Sequence, residues 1–197
     1  RGVEVIRGEA RIASPFTVTV TGRTLTTRSI IVATGARPFV PPIPGLKEAG
    51  YLTSDTLWAL RELPGRLVVL GGGPIGCEMA QAFARLGSRV TQVEMAPRLM
   101  VREDADISRM IQERFEQEGI HVLTGHKAQQ VLMDDGQKAL ICESASGEAV
   151  VPFDAILVAV GRVANARGLG LEELGVPLRP NGTIETDDRL RTNYPNI

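Results

Sequence analysis

The fold is decided by the stretch from Arg66 to Glu94, RLVVLGGGPIGCEMAQAFARLGSRVTQVE. Leu67 to Leu70 is a continuous apolar run, which is typical of a strand buried on both faces of a parallel sheet. A helix is predicted to follow and to stop at Gly87, before a second strand at about Arg89 to Val93. The predicted apolar stripe of that helix comprises Ile75, Met79, Ala80, Phe83, Ala84 and Leu86. The stretch therefore predicts a strand, helix, strand unit.

Three glycines after the first strand have the spacing G-x-G-x-x-G, at Gly71, Gly73 and Gly76. In such a unit the first allows a tight turn, the second lets a pyrophosphate approach the backbone, and the third lets helix and strand pack closely. Pro74 suits the first helical position, and Ile75 follows it in the first turn. Free N–H groups and the helix dipole favour an anion there. We predict that these five residues bind the diphosphate of a dinucleotide.

Glu94 ends the second strand, roughly 20 residues after the first glycine, where a carboxylate is placed to bind the adenosine ribose hydroxyls. Its charge would repel the 2′-phosphate of NADP. Arg98 and Arg102 lie shortly beyond and could meet such a phosphate, but the residue next to Glu94 is the uncharged Met95. The sequence therefore favours NAD over NADP.

The alternative interpretation of the whole stretch is an ordinary glycine-rich turn with a surface glutamate. It does not account for the combination of a preceding strand, a following helix, Pro74 and Glu94.

Composition narrows the class of protein. The chain has 197 residues, a formal net charge of −1 and interspersed acids and bases, so no nucleic-acid or membrane partner is predicted. Cys77 and Cys142 are too far apart for a C-x-x-C pair, and a reducing, cytoplasmic location fits best. His121 and His126 are poor metal ligands, and no metal is predicted. Because the chain begins at Arg1 and ends on TNYPNI, we expect it to be part of a longer protein.

The remaining pattern predicts an α/β fold, in which a Rossmann-like parallel sheet carries an antiparallel three-stranded meander. The remaining predicted strands are Gly2 to Ala10, Phe16 to Thr21, Thr24 to Thr27, Ala128 to Met133, Lys138 to Glu143, Ala149 to Val151 and Thr183 to Thr186, with Cys142 in an outer strand. Ser29 to Ala33 and Phe153 to Val160 are predicted to be buried strands. A proline-rich connector at 38–45 predicts a domain boundary. A third parallel strand is expected at Ile120 to Leu123.

Three further helical segments are predicted. Ser54 is expected to cap a short helix that reaches Leu60 and buries Leu57, Trp58 and Leu60. A longer helix, started by Glu103, Asp104 and Asp106 and ended by Gly119, is expected to bury Ile107, Met110, Ile111 and Phe115. One or two helical turns are expected at Leu171 to Leu174.

Taken in order, the segments SIIVATGARP, PPIPG, TSDTLWALRELPGRLVVLGGGPIGCE, VAVGRVANARGLGLEELGV and NGTIETDDRLRTNYPNI resemble the class I pyridine nucleotide-disulfide oxidoreductases. That family includes dihydrolipoamide dehydrogenase, mercuric reductase and glutathione reductase. The resemblance implies an FAD domain that is split in sequence by an inserted NAD domain. It divides the chain into the end of the first FAD segment (1–45), the NAD(P)-binding domain (46–162) and the truncated start of the returning FAD segment (163–197).

The resemblance also implies cofactor-binding residues at both crossings between the domains. Ala33, Thr34 and Gly35 match the A-T-G motif, whose backbone lies beside FAD in the family. Gly161 and Arg162 match the G-R motif at the second crossing.

Two glutamates match functional positions of the family. Glu78 matches a catalytic glutamate near the nicotinamide and the flavin, whereas from spacing alone it could equally be an exposed helix residue. Glu94 matches the glutamate of members that use NAD.

The resemblance implies a function for the longer protein. NADH would pass hydride to FAD, and the flavin would exchange electrons with a disulfide in an enzyme that forms a homodimer. The first FAD glycine motif, the C-x-x-x-x-C pair and the interface domain with its histidine are not in this sequence. The chain alone is therefore expected to be inactive. The alternatives are a flavin reductase without redox cysteines, such as an NADH oxidase or a ferredoxin reductase, and a stand-alone NAD-sensing module.

Overall fold

The computed structural model describes residues 2–197 and divides the chain into two compact units. Unit 1 combines the chain up to Arg37 with Val163–Ile197, and unit 2 is Pro38–Arg162. The assignment of segments 1–45, 46–162 and 163–197 to particular cofactor domains stays a prediction.

The strands up to the first change of unit are β1 (Ala10–Ser14), β2 (Thr17–Val20), β3 (Arg23–Thr26) and β4 (Ala36–Pro38). The next elements are α1 (Leu46–Ala49), β5 (Leu52–Thr53), β6 (Arg66–Leu70), α2 (Pro74–Leu86), β7 (Arg89–Glu94), α3 (Ala105–Gln117) and β8 (His121–Thr124). The last are β9 (Lys127–Asp134), β10 (Gln137–Ser144), β11 (Gly147–Phe153), β12 (Ala155–Val158) and β13 (Arg162–Ala164). The two short strands β4 and β13, at the changes of unit, pair with each other.

Unit 2 is built on a five-stranded parallel sheet in the order β5-β12-β6-β7-β8. Successive residues of a strand point to opposite faces, and those of β6 enter two separate cores. Val68 and Leu70 pack towards the antiparallel sheet, whereas Leu67 and Val69 pack towards α2 and α3. Both faces are covered, which explains why β6 reads as one uninterrupted apolar run. The predicted α/β class with a Rossmann-like sheet is confirmed.

The predicted three-stranded meander is also confirmed. It forms an antiparallel sheet in the order β11-β10-β9, and Asp135 and Gly136 make the first turn with φ angles of 44° and 79°. One detail was wrong, because the sequence placed Cys142 in an outer strand. Cys142 lies in β10, the middle strand, and is fully buried.

Unit 1 contains the antiparallel sheet β1-β2-β3 and a small core made of Ile12, Leu171, Val176 and Ile197. The predicted strand at Gly2 to Ala10 was wrong: the first strand starts at Ala10, and the apolar residues Val3 and Val5 are exposed.

The predicted buried strand at Ser29 to Ala33 also does not form. Ile30 and Val32 do pack against the core of unit 1, but Ile31 between them is 91% exposed. The side chains thus alternate as in a strand, while no neighbouring strand pairs with them within residues 2–197.

Two of the predicted helices were misjudged. The segment after Ser54 forms only a 3-10 turn at Leu57–Ala59, with Thr56 at its N-cap. Trp58 is 70% exposed, and its indole N–H donates to Ser54 O (2.8 Å). The Leu171 to Leu174 segment is a series of turns without a helix. The strand expected at Thr183 to Thr186 is reduced to one bridge between Leu178 and Ile184.

The predicted inner faces of the two long helices are confirmed only in part. Ala80, Phe83 and Phe115 are buried, and Met79, Ala84 and Ile111 pack against the same core. Leu86 is exposed at the end of α2, whose buried residues are Gly76, Cys77, Ala80 and Phe83. In α3, Ile107 and Met110 are exposed, and the buried residues are Ser108 and Phe115. The reason lies in the loop before α3, whose carbonyl groups bind the Ser108 hydroxyl and draw that side of the helix inward.

Candidate functional site

The glycine loop, Gly71–Gly73, lies at the carboxyl end of β6, which is the edge where parallel sheets bind ligands. Gly71 has a φ of 116°, and a Cβ there would stand 2.4 Å from Ala159 O. At Gly76, in the first turn of α2, a Cβ would stand 2.1 Å from Gly71 O. The chain's own packing therefore requires the first and third glycines of the motif, for the turn and for the close approach of the helix.

Gly73, the second glycine of the motif, is different. Its φ of −80° and ψ of −177° are open to any residue, and a Cβ built on it meets no atom within 4 Å. Nothing in the folding of the loop requires a glycine at this point. The residue faces open space on the side where another molecule would approach the backbone.

Helix α2 begins at Pro74 without a side-chain cap. Its first backbone hydrogen bond runs from Cys77 N to Gly73 O (2.9 Å). The N–H groups of Ile75 and Gly76 precede that bond and have no acceptor within the helix. Uncapped amides at the positive end of a helix of 13 residues bind an anion well.

Glu94 is half-buried at the end of β7, and its carboxylate faces the glycine loop. One oxygen accepts a hydrogen bond from Gly72 N (2.5 Å) and the other accepts one from Ala96 N (2.6 Å). Each carboxylate oxygen can accept two hydrogen bonds, so both retain one acceptor position. The structure thus brings together Glu94 and the glycine loop, which lie far apart in sequence.

Gly72 was not singled out by the motif, but it joins the two sides of this site. A Cβ on Gly72 would stand 2.8 Å from Leu99 Cδ2 and 2.9 Å from Glu94 Cγ, and its carbonyl accepts a hydrogen bond from Met100 N (2.7 Å). The run of three consecutive glycines was the available signal, because two glycines suffice for the turn and the phosphate contact.

Gln92 is the second residue that the sequence interpretation missed. It is fully buried in β7, and its Nε2 donates to Gly71 O (3.0 Å) from beneath the glycine loop. Its Oε1 has no hydrogen-bond partner among residues 2–197. A glutamine at an inward position of an otherwise apolar strand was the signal for this role.

Cys77 lies in the same buried layer, with its thiol 3.5 Å from Gly72 O and from Gln92 Nε2. Burial raises the pKa of the Cys77 thiol, so the neutral thiol is favoured at physiological pH. Burial likewise raises the pKa of Cys142, to about 11. Both cysteines therefore have the character of packing residues.

The remaining predicted site residues lie elsewhere, and their roles stay predictions. Glu78 is exposed on α2. The carbonyl of Gly161 accepts a hydrogen bond from Phe39 N (3.0 Å), and the Arg162 guanidinium binds Ser54 Oγ (2.8 Å) and Asp55 (3.3 Å).

The A-T-G segment belongs to unit 1. The Thr34 hydroxyl donates to Asn165 O (2.6 Å), the Asn165 amide returns a bond to Thr34 O (3.0 Å), and Gly35 has a φ of 67°. Ala33, the first residue of the motif, is exposed.

Across residues 2–197, no group of three or more histidine, cysteine, aspartate and glutamate side chains is placed to hold a metal ion. Over the same residues, none of the helices combines the length and the apolar character needed to cross a membrane.

Comparison with known proteins gives the site its context. A family model described as "Pyridine nucleotide-disulphide oxidoreductase" matches residues 1–197. The chain is 38% identical to a mercuric reductase of Staphylococcus aureus, in a match that covers 100% of this chain and 36% of the relative. It is 36% identical to a glutathione reductase of Burkholderia cepacia, in a match that covers 99% of this chain and 42% of the relative. It is also similar to the solved HOCl-induced flavoprotein disulfide reductase RclA from Escherichia coli, with a TM-score of 0.84, 33% identity, and coverage of 98% of this chain and 44% of that one. The chain thus spans less than half of each of these proteins.

Proposed function

Since the chain belongs to the pyridine nucleotide-disulphide oxidoreductase family, we propose that it is the NADH-binding part of an FAD-dependent disulfide oxidoreductase. Its similarity to mercuric and glutathione reductases and to a flavoprotein disulfide reductase supports this proposal. The chain spans 36% to 44% of those proteins, so the complete active site needs residues outside it. The remainder of the FAD domain and the interface domain are the expected partners, within a cytoplasmic homodimer, and the chain alone is expected to be inactive.

One observation carries the proposal: Gly73 is a glycine that the fold itself does not need. Its backbone is extended, and the position of its Cβ is open. A diphosphate that approaches the backbone there would take that space and would explain the absence of a side chain. Gly71 and Gly76, which the packing does require, form the turn and the helix start that aim the amides of Ile75 and Gly76 at the same place.

The adenosine end of the dinucleotide is assigned to Glu94. Its carboxylate is fixed by the amides of Gly72 and Ala96, and the remaining acceptor positions fit the ribose hydroxyls of NADH. A 2′-phosphate would bring negative charge against that carboxylate. This arrangement supports NADH, rather than NADPH, as the nucleotide.

The nicotinamide end is assigned to the neighbourhood of Glu78, which is exposed one turn into α2. In the complete enzyme, FAD supplies the redox chemistry by taking up hydride from NADH. The residues of this chain bind and orient the nucleotide: the first turn of α2 holds the diphosphate, and Glu94 holds the ribose. The A-T-G segment of unit 1 and the Gly161–Arg162 pair are assigned to the FAD side.

The proposal is tested by Gly73→Ala. The added methyl group meets no protein atom, so we expect the free energy of unfolding to change by less than about 1 kcal/mol, the range for an N-cap exchange. NADH affinity should fall at least about tenfold, which corresponds to about 1.4 kcal/mol, because the methyl group would keep the diphosphate away from the amides. Isothermal calorimetry and urea unfolding of the purified protein measure the two quantities.

Ala82→Ser, on the exposed side of α2 and away from the loop, is the control and should change neither quantity. NADH affinity that is the same in Gly73→Ala and in the unchanged protein would refute the assignment of the diphosphate.

A further inference from the structure

The loop of residues 95–103, which follows Glu94, is held in one conformation from several directions. Leu99 is fully buried, and Met100 has a φ of 48°, a left-handed conformation that is unfavourable for a residue with a side chain. Strain of this kind persists only where the surroundings enforce it, and it is concentrated at functional sites. Contacts around the loop must therefore enforce this conformation.

Arg98 donates three side-chain hydrogen bonds around this loop. Its half-buried guanidinium donates to Val101 O (3.0 Å), to Glu103 O (2.8 Å) and to the hydroxyl of Ser108 (2.6 Å). These acceptors are all neutral, and none belongs to the glycine loop. The planar guanidinium can satisfy several acceptors at once in fixed directions, which a lysine ammonium cannot do.

Ser108 connects this contact to helix α3. It is only 3% exposed, and while it accepts from Arg98, its hydroxyl donates to Leu99 O (2.7 Å). The loop is thereby fastened at Leu99, Val101 and Glu103 to the first turn of α3.

The other side of the loop touches the proposed nucleotide site. Ala96 N donates to Glu94 Oε1 (2.6 Å), Met100 N donates to Gly72 O (2.7 Å), and Leu99 Cδ2 lies 2.8 Å from the point that a Cβ on Gly72 would occupy. The position of the Glu94 carboxylate therefore depends on the conformation of the 95–103 loop as well as on the glycine loop.

We propose that Arg98 is a positioning residue for Glu94: it fixes the 95–103 loop from the side of α3, and it is not a ligand of a 2′-phosphate. This inference rests on the proposed function, namely that Glu94 binds the ribose of NADH. Arg98 is the first basic residue after Glu94 in the sequence, and its charge alone would suggest a contact with the 2′-phosphate of NADPH. Arg98 contributes to selection of NADH by holding a carboxylate in place.

The test is the affinity of the purified protein for NADH and for NADPH, measured by calorimetry on Arg98→Gln, Arg98→Lys and the unchanged protein. Arg98→Gln should weaken NADH binding about tenfold, since it removes three charge-assisted hydrogen bonds that hold the loop. It should leave NADPH affinity unchanged within about threefold, so the preference for NADH becomes smaller. Arg98→Lys keeps the charge without the planar geometry, and its NADH affinity should lie between those of Arg98→Gln and the unchanged protein.

The matched control is Arg102→Gln, which removes an exposed arginine of the same loop and should alter neither affinity. AMP and nicotinamide mononucleotide serve as half-ligands: Arg98→Gln should weaken AMP and leave the mononucleotide unaffected, whereas a general loss of structure would weaken both. If Arg98→Gln does not fold, Ser108→Ala removes the hydroxyl that accepts from Arg98 and donates to Leu99 O, and it should shift the NADH to NADPH ratio in the same direction.

Three outcomes would overturn the proposal. A selective loss of NADPH affinity in Arg98→Gln would show that Arg98 is a phosphate ligand. An unchanged NADH to NADPH ratio in Arg98→Gln, or in Ser108→Ala where it replaces that variant, would show that the loop does not position Glu94. If the unchanged protein binds neither nucleotide, the proposed function fails and this inference fails with it, which separates that result from the first two.

Discussion

At the scale of single residues, the fully buried Gln92 supports the site from below the glycine loop. Its amide group supports the glycine loop by donating to Gly71 O, while its Oε1 is buried without a partner among residues 2–197. A buried amide that is only half satisfied is costly, so its donor bond has to be worth keeping. Gln92 therefore lowers the stability of unit 2 through its unpaired oxygen, while its donor bond maintains the conformation of the glycine loop.

Two substitutions of Gln92 should both lower the free energy of unfolding, by different amounts. Gln92→Leu removes both the unpaired oxygen and the support of Gly71 O, and should lower the free energy of unfolding by about 1 kcal/mol. Gln92→Glu introduces a carboxylate that cannot donate to Gly71 O unless it is protonated, and should cost more than about 3 kcal/mol at pH 7. Urea unfolding measures both.

The exposed Gln117→Leu on α3 is the control and should stay within about 0.5 kcal/mol of the unchanged protein. If Gln92→Leu proves as stable as the unchanged protein, the donor bond to Gly71 O contributes nothing to the free energy of unfolding.

At the scale of elements, α2 and α3 are joined at their carboxyl-terminal ends by Glu118. Its side chain is 14% exposed, and its carboxylate binds Arg85 of α2 and Arg114 of α3 at 2.7 and 2.6 Å. Hydrogen bonds from Arg85, and also from Arg114 and Gln81, lower the pKa of Glu118 to about 2. An unfolded glutamate has a pKa of about 4.3, so the folded state holds this proton less tightly than the unfolded state.

The stabilisation by Glu118 should therefore be complete above about pH 5 and should disappear as the pH falls through about 2. Glu118→Gln is expected to lower the Tm at pH 7, and its deficit relative to the unchanged protein should shrink between pH 5 and pH 2. Calorimetric scans over this pH range make the comparison.

Glu113→Gln, an exposed glutamate on α3 that lies 3.9 Å from Arg109, is the matched control and should have little effect at any pH. A Tm deficit of Glu118→Gln that is the same at pH 7 and at pH 2 would mean that packing, and not the ionised carboxylate, is responsible.

The secondary-structure elements also show which parts of the fold can be predicted from sequence patterns alone. The apolar run of β6 and the glycine spacing depend on local sterics, and the strand and the helix that they predict both form. The inner face of α3 was predicted only in part, because Ser108 is buried by hydrogen bonds to a loop that is irregular in sequence. Hydrophobic periodicity cannot identify a buried serine, nor can it show that Arg98 is held by that serine and not by a phosphate.

At the scale of the whole molecule, each core belongs to one unit. The cluster around Leu140 and Phe153 and the cluster around Phe83 and Phe115 consist entirely of unit 2 residues, whereas the small cluster around Leu171 consists of unit 1 residues. The failed prediction of a strand at Ser29 to Ala33 also has its cause at this scale. An apolar run predicts a strand, but pairing needs a neighbour, and the described chain offers it none.

Because the two large cores and the whole glycine loop site lie in unit 2, a chain of residues 38–162 should fold by itself. We expect one cooperative urea transition, since a domain of this size usually unfolds in two states, and an NADH affinity within about threefold of that of residues 1–197. The same chain with Gly73→Ala controls for specific binding and should lose NADH while keeping the transition. Non-cooperative unfolding of 38–162 would show that unit 1 is needed to complete the fold. A cooperative chain without NADH affinity would place an essential part of the nucleotide site outside unit 2.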